Sequence, residues 1–462
     1  MVYALGVDLG TTYTAAATAR HGRAEVFPLG RRLAAVPSVV YAGRDGVLVG
    51  EPAGMRAVTE PERVAREFKR RVGDPVPLVL GGAPWSAEQL MARLLEWVLG
   101  RVREQEGEPP PRLVICHPAN WGRFKRDVLV EAVRLVDRVP PAAMLTEPEA
   151  AAIHYASNDR LDAGDVIAVY DLGGGTFDLS ILRTTDTGFE FIGEPEGIER
   201  LGGVDFDEVV YRHVLRHALD GAEPNTDDAA TLASLARLRD DCVDAKEALS
   251  FDTRVAVPVV LPGVNTTVTI TRSEFEDMVR PPLEQTMRAL RRVLDAAAVP
   301  AERLRAVLLV GGSSRIPLVG QLVAGELGRP VAVDAHPKHP VALGAALAAW
   351  DGSVLLRPVT RSVGPARWDL PARWGPVPRS PTPVTPSPTP VTPSPRPSAP
   401  EPAAEPSTAV STAAPAEEVT LAAETTPVHE VDGPVVPRWV VPALAAAILV
   451  VVLLVALVAR TA

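Results

Sequence analysis

Two aspartates stand in nearly the same local setting about 160 residues apart. Asp8 lies in GVDLGTTYTAAATA, Gly6 to Ala19, and Asp171 lies in YDLGGGTFDLSIL, Tyr170 to Leu182. Each stretch reads as an apolar strand, then Asp-Leu-Gly, then a tight Gly- and Thr-rich turn, then a second strand. Three consecutive glycines cost conformational entropy and give a core nothing to pack. Such a turn makes sense where something must come close to the backbone. Successive glycine N–H groups can close on phosphate oxygens as a nest of donors. Thr11, Thr12 and Thr176 add hydroxyl donors. Asp8 and Asp171, at the ends of strands, suit Mg²⁺ held through its water shell, because Mg²⁺ keeps several waters and takes few carboxylates. Two such loops could grip a triphosphate from both sides. Taken singly, each is read equally well as an ordinary hairpin with a glycine turn. Their repetition argues for two related lobes facing each other across a cleft.

Two further stretches carry candidate chemistry. AVLLVGGSSRIPLV, Ala306 to Val319, is an apolar strand ending in Gly-Gly-Ser-Ser-Arg, a strand-to-helix turn that could close on a ligand. LTEPEAAAIHYA, Leu145 to Ala156, places an acid and a proline at the start of an alanine-rich helix. On their own these read as a βα loop and as an acid favoured by a helix dipole. Likewise Lys69, in the run Lys69-Arg70-Arg71, reads alone as a solvated lysine, and Lys246 as an exposed helix lysine.

The elements that must position these residues alternate along the chain. Strand-like runs (ALGVDLG, RLVICHP, DVIAVYDLG, FDLSILRT, AVLLVGG) are separated by helical stretches such as SAEQLMARLLEWVLGRVREQ and DAATLASLARLRDDCVDAKEALS. In the last, Leu232, Leu235, Leu238 and Cys242 recur at helical spacing and predict a buried face. The pattern is α/β.

The 462 residues are enough for two or three domains with real cores, and 47% hydrophobic and 23% charged residues are ordinary for globular protein. A formal net charge of −10 argues against a nucleic-acid partner, since phosphate backbones need a basic face. Cys116 and Cys242 are too few for a disulfide framework and fit a reducing compartment. The start, MVYALGVDLGTT, shows no secretory signal. Much of the proline lies from about Pro376 to Pro437, where Thr-Pro and Ser-Pro repeats carry almost no large apolar side chain. Residues 352–437 are therefore expected to be a disordered or polyproline-II linker. About 60 such residues would reach roughly 45 Å as a flexible coil and roughly 190 Å as polyproline II. WVVPALAAAILVVVLLVALVA, Trp439 to Ala459, follows between Arg438 and Arg460 with no internal charge. Residues 438–460 are predicted to form one transmembrane helix. The expected arrangement is single-pass and tail-anchored, with everything before Arg438 in the cytoplasm.

Seven stretches in register resemble the 70-kDa heat-shock chaperone family, DnaK type, within the actin-like ATPase superfamily. They are VDLGTTY, FKRRVGD, TEPEAAAIHYA, YDLGGGTFDLSIL, RLGGVDFDEVV, DAKEALS and VGGSSRIPLV. The resemblance covers residues 1–351, the nucleotide-binding domain. It implies a two-lobed actin-like ATPase fold, with duplicated β-sheet and helix lobes around a nucleotide cleft. Lobe I would be about 1–163 plus 335–351, and lobe II about 164–334. It implies ATP/ADP and Mg²⁺ as cofactors, and co-chaperone or nucleotide-exchange proteins as partners beside the membrane and an unidentified protein.

By this similarity Gly10, Thr11, Thr12 and Tyr13 would contact the β- and γ-phosphates from the first lobe, and Gly173, Gly174, Gly175 and Thr176 from the second. Lys69 matches the catalytic lysine. Glu147 and Asp171 would orient the attacking water and the hydrated metal, which Asp8 also faces; Asp178 and Asp205 match family acids near it. Gly202 and Gly203 match the loop at the cleft, and Lys246 and Ser250 the adenosine pocket. Gly311, Gly312, Ser313 and Arg315 would cradle the α-phosphate and adenosine.

The departures cluster. Val243 stands where the family has an acid, Glu247 where an arginine stacks on adenine, and Lys338 where an aspartate follows a proline. No β-sandwich for peptide binding is expected after Trp350. The expected function is a membrane-tethered ATPase of the heat-shock type with slow ATP hydrolysis. The alternative is a nucleotide-gated scaffold that binds ATP with little turnover and recruits a partner at the membrane. A small-molecule kinase on the same fold would need a sugar-binding insert, and none is seen.

Overall fold

In each of two sheets a hairpin supplies the middle strands. The computed structural model describes residues 2–30, 33–328, 332–333 and 339–352. In the first sheet, Ala4–Leu9, Tyr13–Arg20 and Arg23–Phe27 run antiparallel in sequence order. Leu113–His117 then adds in parallel beside Ala4–Leu9, and Ala142–Thr146 in parallel beside that. In the second sheet, Val166–Leu172, Phe177–Thr185 and Gly188–Phe191 form the meander. Leu304–Val310 adds in parallel beside Val166–Leu172, and Ala332–Val333 follows. The spatial plan is the same in both, meander on one side and parallel strands on the other. This fits the two-lobed α/β fold that the sequence predicts.

The apolar runs become buried strands because helices cover them. In the first lobe, Leu5, Val7 and Leu9 pack with Leu90, Leu94 and Val98 of the helix Ala87–Glu106. That helix opens on a capping box, in which Ser86 accepts from the Gln89 amide and Gln89 accepts from the Ser86 amide. In the second lobe, Tyr170, Leu172 and Phe177 pack with Phe206, Val210, Cys242 and Leu290 from the helices Gly203–Ala218, Ala229–Ala248 and Arg272–Ala296. The predicted stripe on Ala229–Ala248 holds at Leu235, Leu238 and Cys242, which are buried, and fails at Leu232, which is exposed. In the first turn of that helix the stripe has run beyond the packed face.

A third cluster lies where the two sheets meet. The helices Glu147–Asn158 and Pro340–Asp351 cross there, contributing Ala150, Ala151, Ala345 and Ala348 against Ile167, Val169 and Val310. Small side chains let the helix axes approach closely. A Cβ on Gly344 would overlap the Ala150 carbonyl, and one on Gly6 would overlap the Ala342 carbonyl and the Ala346 amide. This close crossing fixes Glu147, the first residue of its helix, at the junction of the lobes.

All of the expected linker 352–437 but Gly352, the segment 438–460, and residues 335–338 of the expected first lobe, Lys338 among them, lie outside the described residues. Among the described residues no helix is long and apolar enough to cross a membrane.

Candidate functional site

Both hairpin tips are fixed by having their carbonyl groups drawn away from the cleft. In the first, Ser38 Oγ donates to the Gly10 carbonyl at 2.7 Å and the Ser38 amide donates to the Thr12 carbonyl at 2.8 Å. In the second, the Gly203 and Val204 amides donate to the Gly173 and Gly174 carbonyls at 3.1 and 2.8 Å. Ser313 Oγ adds a 2.9 Å bond to the Gly173 carbonyl. The Gly175 carbonyl accepts from Arg70 Nε at 2.9 Å. Holding the carbonyls leaves amides as the groups a ligand meets, which is what an anion needs.

The tips meet each other. A Cβ on Gly174 would overlap Thr12 Oγ1, and one on Gly175 would overlap Thr11 Cγ2 and crowd Arg70 Nε at 2.7 Å. A Cβ on Gly202 would sit 2.7 Å from the Gly174 carbonyl carbon, and one on Gly203 would sit 2.9 Å from Ser313 Oγ. The second tip is therefore glycine because threonines of the first tip, and a second backbone, press against it. Gly311, at φ +84°, takes a left-handed conformation where a Cβ would overlap the Leu172 carbonyl and lie 2.5 Å from Asp171 Oδ1.

Between the tips and the helix crossing lies a cleft with about 1120 Å³ of atom-free space, its open mouth included. That is ample for a nucleotide-sized ligand. From the first lobe it is lined by Asp8, Gly10, Thr11, Thr12, Tyr13, Lys69 and Glu147. From the second come Asp171, Gly173, Gly174, Thr176, Gly203, Lys246, Ser250, Gly311, Gly312, Ser313 and Arg315. Of the expected site residues, Gly175, Gly202, Asp178 and Asp205 do not line it. Gly175 receives Arg70 through its carbonyl, and Gly202 backs the second tip.

At the deep end, Lys69 Nζ donates to Glu147 Oε1 at 2.6 Å, with both side chains 9% exposed. Lys69 is thus no solvated lysine. Its burial pulls the ammonium pKa down, but Glu147, Asp8 and Asp171 outweigh that and hold it above the ordinary lysine value. Asp8 is pushed up to about 7, mostly by burial, with Lys69 opposing and Glu147 adding. Burial, then Glu147, Asp178 and Asp8, raise Asp171 well above the carboxylate range. Asp178, opposite Asp171 in the sheet, is pushed up to about 7 by burial and by Glu147, against a stabilising bond from Thr176. Four carboxyl groups, Glu147 and Asp178 buried and Asp8 and Asp171 half-buried, therefore surround one ammonium. Asp178 Oδ1 and Thr12 Oγ1 are buried without a hydrogen-bond partner among the described residues. Carboxylates and hydroxyls are hard oxygen donors, and the charge excess and orphaned oxygens fit a hydrated Mg²⁺ with phosphate oxygens. Among the described residues no three acids, histidines or cysteines converge as direct metal ligands.

The other end is shaped by Lys246, Glu247 and Arg315. Lys246 is buried, not an exposed helix lysine; it pairs with Asp207 at 2.6 Å and donates to the Gly203 carbonyl at 3.2 Å. Tyr13 reaches over from the first lobe, and its phenol is pushed up to about 12 by burial and then by Glu247, Asp244 and Asp207. Val243 and Glu247, two of the family departures, line the cleft here. So does Phe251, 70% exposed, with the Arg315 guanidinium 5.8 Å from its ring centroid. An exposed aromatic beside a guanidinium offers a flat face for a base.

Three contributors escaped the sequence reading. Ser38 follows the two-residue strand Val36–Pro37, and only the pairing of that strand with Tyr13 and Thr14 brings it to the tip, its hydroxyl 2.9 Å from that of Thr14. Phe251 was an unremarked aromatic after a helix. Arg70 lay in a basic run that pointed to solvent. It instead crosses the cleft, donating to the Gly175 carbonyl and, at 2.9 Å, to Asp205 Oδ2. The left-handed Glu67, at φ 54°, and the short 3₁₀ turn Phe68–Arg71 place Lys69 in the cleft and Arg70 against the second lobe. No periodicity signals that turn.

The family model described as Hsp70 protein matches residues 4–80 and 75–356 of this chain.

Proposed function

Since the chain belongs to the Hsp70 family, whose members are generally ATP-binding, chaperone-related ATPases, we propose that it binds ATP with Mg²⁺ in this cleft and hydrolyses it slowly. The observation that carries the reading is the buried Lys69–Glu147 pair, set among Asp8, Asp171 and Asp178 directly below two amide-rich tips. Transfer of a phosphoryl group to water needs little covalent help; it needs positioning and charge stabilisation. The tips would hold the β- and γ-phosphates through the amides of Thr11, Thr12 and Gly174 and the hydroxyl of Thr176. Mg²⁺, reached through water by Asp8 and Asp171, would neutralise phosphate charge. The Lys69 ammonium, kept protonated by its acidic neighbours, would balance charge on the transferring group and the attacking water. Glu147 fixes that ammonium and orients the water. At the other end Lys246, Ser250, Phe251 and Arg315 would receive the nucleoside.

Residues 438–460 would hold this head at a membrane from the cytoplasmic side, at the end of the linker. A protein partner would read the state of the lobes.

The test is ATP turnover with Mg²⁺ by the full-length protein, beside Lys69→Ala and Thr176→Val. Wild-type turnover is expected to exceed that of Lys69→Ala at least 100-fold, with ATP affinity kept within about fivefold. A second reading, a nucleotide-gated scaffold, is favoured by the bonds Arg70 makes across the cleft, which tie lobe closure to its contents. It predicts tight ATP binding and equal, negligible turnover in wild type and Lys69→Ala. Failure to bind ATP at all would overturn both readings.

A further inference from the structure

The helix Gly203–Ala218 starts behind the second glycine tip and carries two histidines near its other end, His213 and His217. At four residues apart they share one face of the helix. At about 1.5 Å per residue, His213 lies roughly 15 Å of helix beyond Gly203. The two ring centroids are 4.2 Å apart, with the planes at 36°. His217 Nδ1 meets the His213 carbonyl at 2.8 Å. A carbonyl oxygen only accepts, so Nδ1 carries the proton and the lone pair of the neutral ring is on Nε2. His217 is exposed and His213 half-buried. Burial, then His217, hold His213 below the ordinary imidazole value, while Glu274 pulls the other way and offsets Arg216. Glu274 stands in the first turn of the helix Arg272–Ala296, and its carboxyl group feels both imidazoles. It caps that helix through Oε2, which accepts from the Thr271 amide at 2.8 Å and from Thr271 Oγ1 at 2.7 Å.

We propose that His213 and His217 clamp one divalent late transition ion of the zinc and copper class, with Glu274 accepting from a water of its coordination shell. Neutral imidazole is a donor these ions favour, whereas Mg²⁺ and Ca²⁺ take oxygen. The bond from His217 Nδ1 fixes the tautomer and turns the other nitrogen to the metal, as a carbonyl partner does for ligating histidines in general. The lowered basicity of His213 keeps its ring neutral at pH 7, so the ion meets little competition from protons there. Among the described residues no third acid, histidine or cysteine converges with the pair, so water completes the shell. A carboxylate near both rings balances part of the charge and holds such a water. The carbonyl dipoles at the end of the helix add partial negative charge where the cation would sit. The bound ion would tie the end of one second-lobe helix to the first turn of another. It would be separate from the Mg²⁺ of the cleft, and the proposal does not depend on what the cleft binds.

The experiment is calorimetric titration of Zn²⁺ into the full-length protein, prepared without a histidine tag and with Mg²⁺ in excess to fill oxygen sites. It compares wild type with His213→Gln, His217→Gln, Glu274→Gln and His154→Gln. His154, on the helix Glu147–Asn158, controls for binding by any other histidine. One ion per chain is expected. Affinity is expected to fall at least 30-fold in His213→Gln and in His217→Gln, and to stay within twofold in His154→Gln. A loss of about threefold is expected in Glu274→Gln, whose amide oxygen can still cap its helix. With Cu²⁺ as the probe, electron paramagnetic resonance is expected to show two nitrogen donors in wild type and one in His217→Gln. His217 is exposed, so its variant is expected to keep the wild-type Tm without metal, which separates a lost ligand from a lost fold. No Zn²⁺ binding by wild type, equal affinity in wild type and the two histidine variants, or a loss in only one of them would overturn the proposal.

Discussion

The two hairpins share a strand register and an Asp-Leu-Gly entry, yet their tips are built from opposite materials. The first carries side chains, Thr11 and Thr12; the second carries almost none, Gly173 to Gly175. The reason is mutual fit. Thr12 Oγ1 and Thr11 Cγ2 occupy the space that side chains on Gly174 and Gly175 would need. Bulk on one tip requires its absence on the other, so the duplication cannot be symmetric in detail. The acids differ as well. Asp8 faces Ala15 across its hairpin, whereas Asp171 faces Asp178. The second hairpin thus brings two carboxyl groups to the site and the first hairpin one, with Lys69 and Glu147 reaching it from other elements of the first lobe.

The sharpest way to break this comparison is to add bulk to each glycine in turn. Gly174→Val is expected to lower ATP affinity 100-fold or more, because a Cβ there meets Thr12 at once. Gly173→Ala is expected to change it less than threefold, because the nearest atom to its Cβ would be the Thr176 carbonyl oxygen at 3.6 Å. Calorimetric titration with ATP measures both, and similar losses would mean that the tips do not interlock.

The acid asymmetry is readable in pH. With Asp178 raised to about 7, the folded protein holds a proton between about pH 4 and 7 that the unfolded chain has already lost. Stability without ligand therefore falls as pH rises through that window and levels off above it. Asp178→Asn is expected to raise Tm by about 4 °C at pH 7.5 and to change it little at pH 4.5. Asp8→Asn should gain less, since it also removes a partner of Lys69. Thermal melts at both pH values decide this; a Tm gain for Asp178→Asn that does not grow with pH counts against it.

Smaller effects are expected where the lobes touch. Arg70→Ala removes charged hydrogen bonds to Gly175 and Asp205 and should weaken ATP binding about tenfold. Arg66→Ala loses only an exposed contact of 3.8 Å to Asp240 and should stay within twofold. The two serines set the finest comparison. Ser38→Ala frees the Gly10 carbonyl and Ser313→Ala removes one of the two bonds to the Gly173 carbonyl, and at about 1 kcal/mol per bond each corresponds to roughly fivefold in affinity. Unequal losses in binding assays would show that one tip carries more of the ligand than the other.

The residues by themselves determined the α/β class and the two hairpins with their glycine turns, and the family resemblance supplied most of the remaining lining of the cleft. Those features are local: strand periodicity, glycine turns, and an acid at a helix start are written in neighbouring residues. The apolar stripe at Leu235, Leu238 and Cys242 was legible for the same reason, and Leu232 was not, because where a stripe loses its partner depends on another element. Only the tertiary structure decided which groups are buried together. Lys69 reads as a surface cation until Glu147, 78 residues later, is brought to 2.6 Å from it. Ser38, Arg70 and Phe251 acquire roles through contacts with residues distant in the chain, and no local pattern encodes a distance across a cleft. The raised carboxyl pKa values belong to the same class. Desolvation and like charges act through space, and they exist only once the helix crossing at Gly344 and Ala150 has drawn the two lobes together.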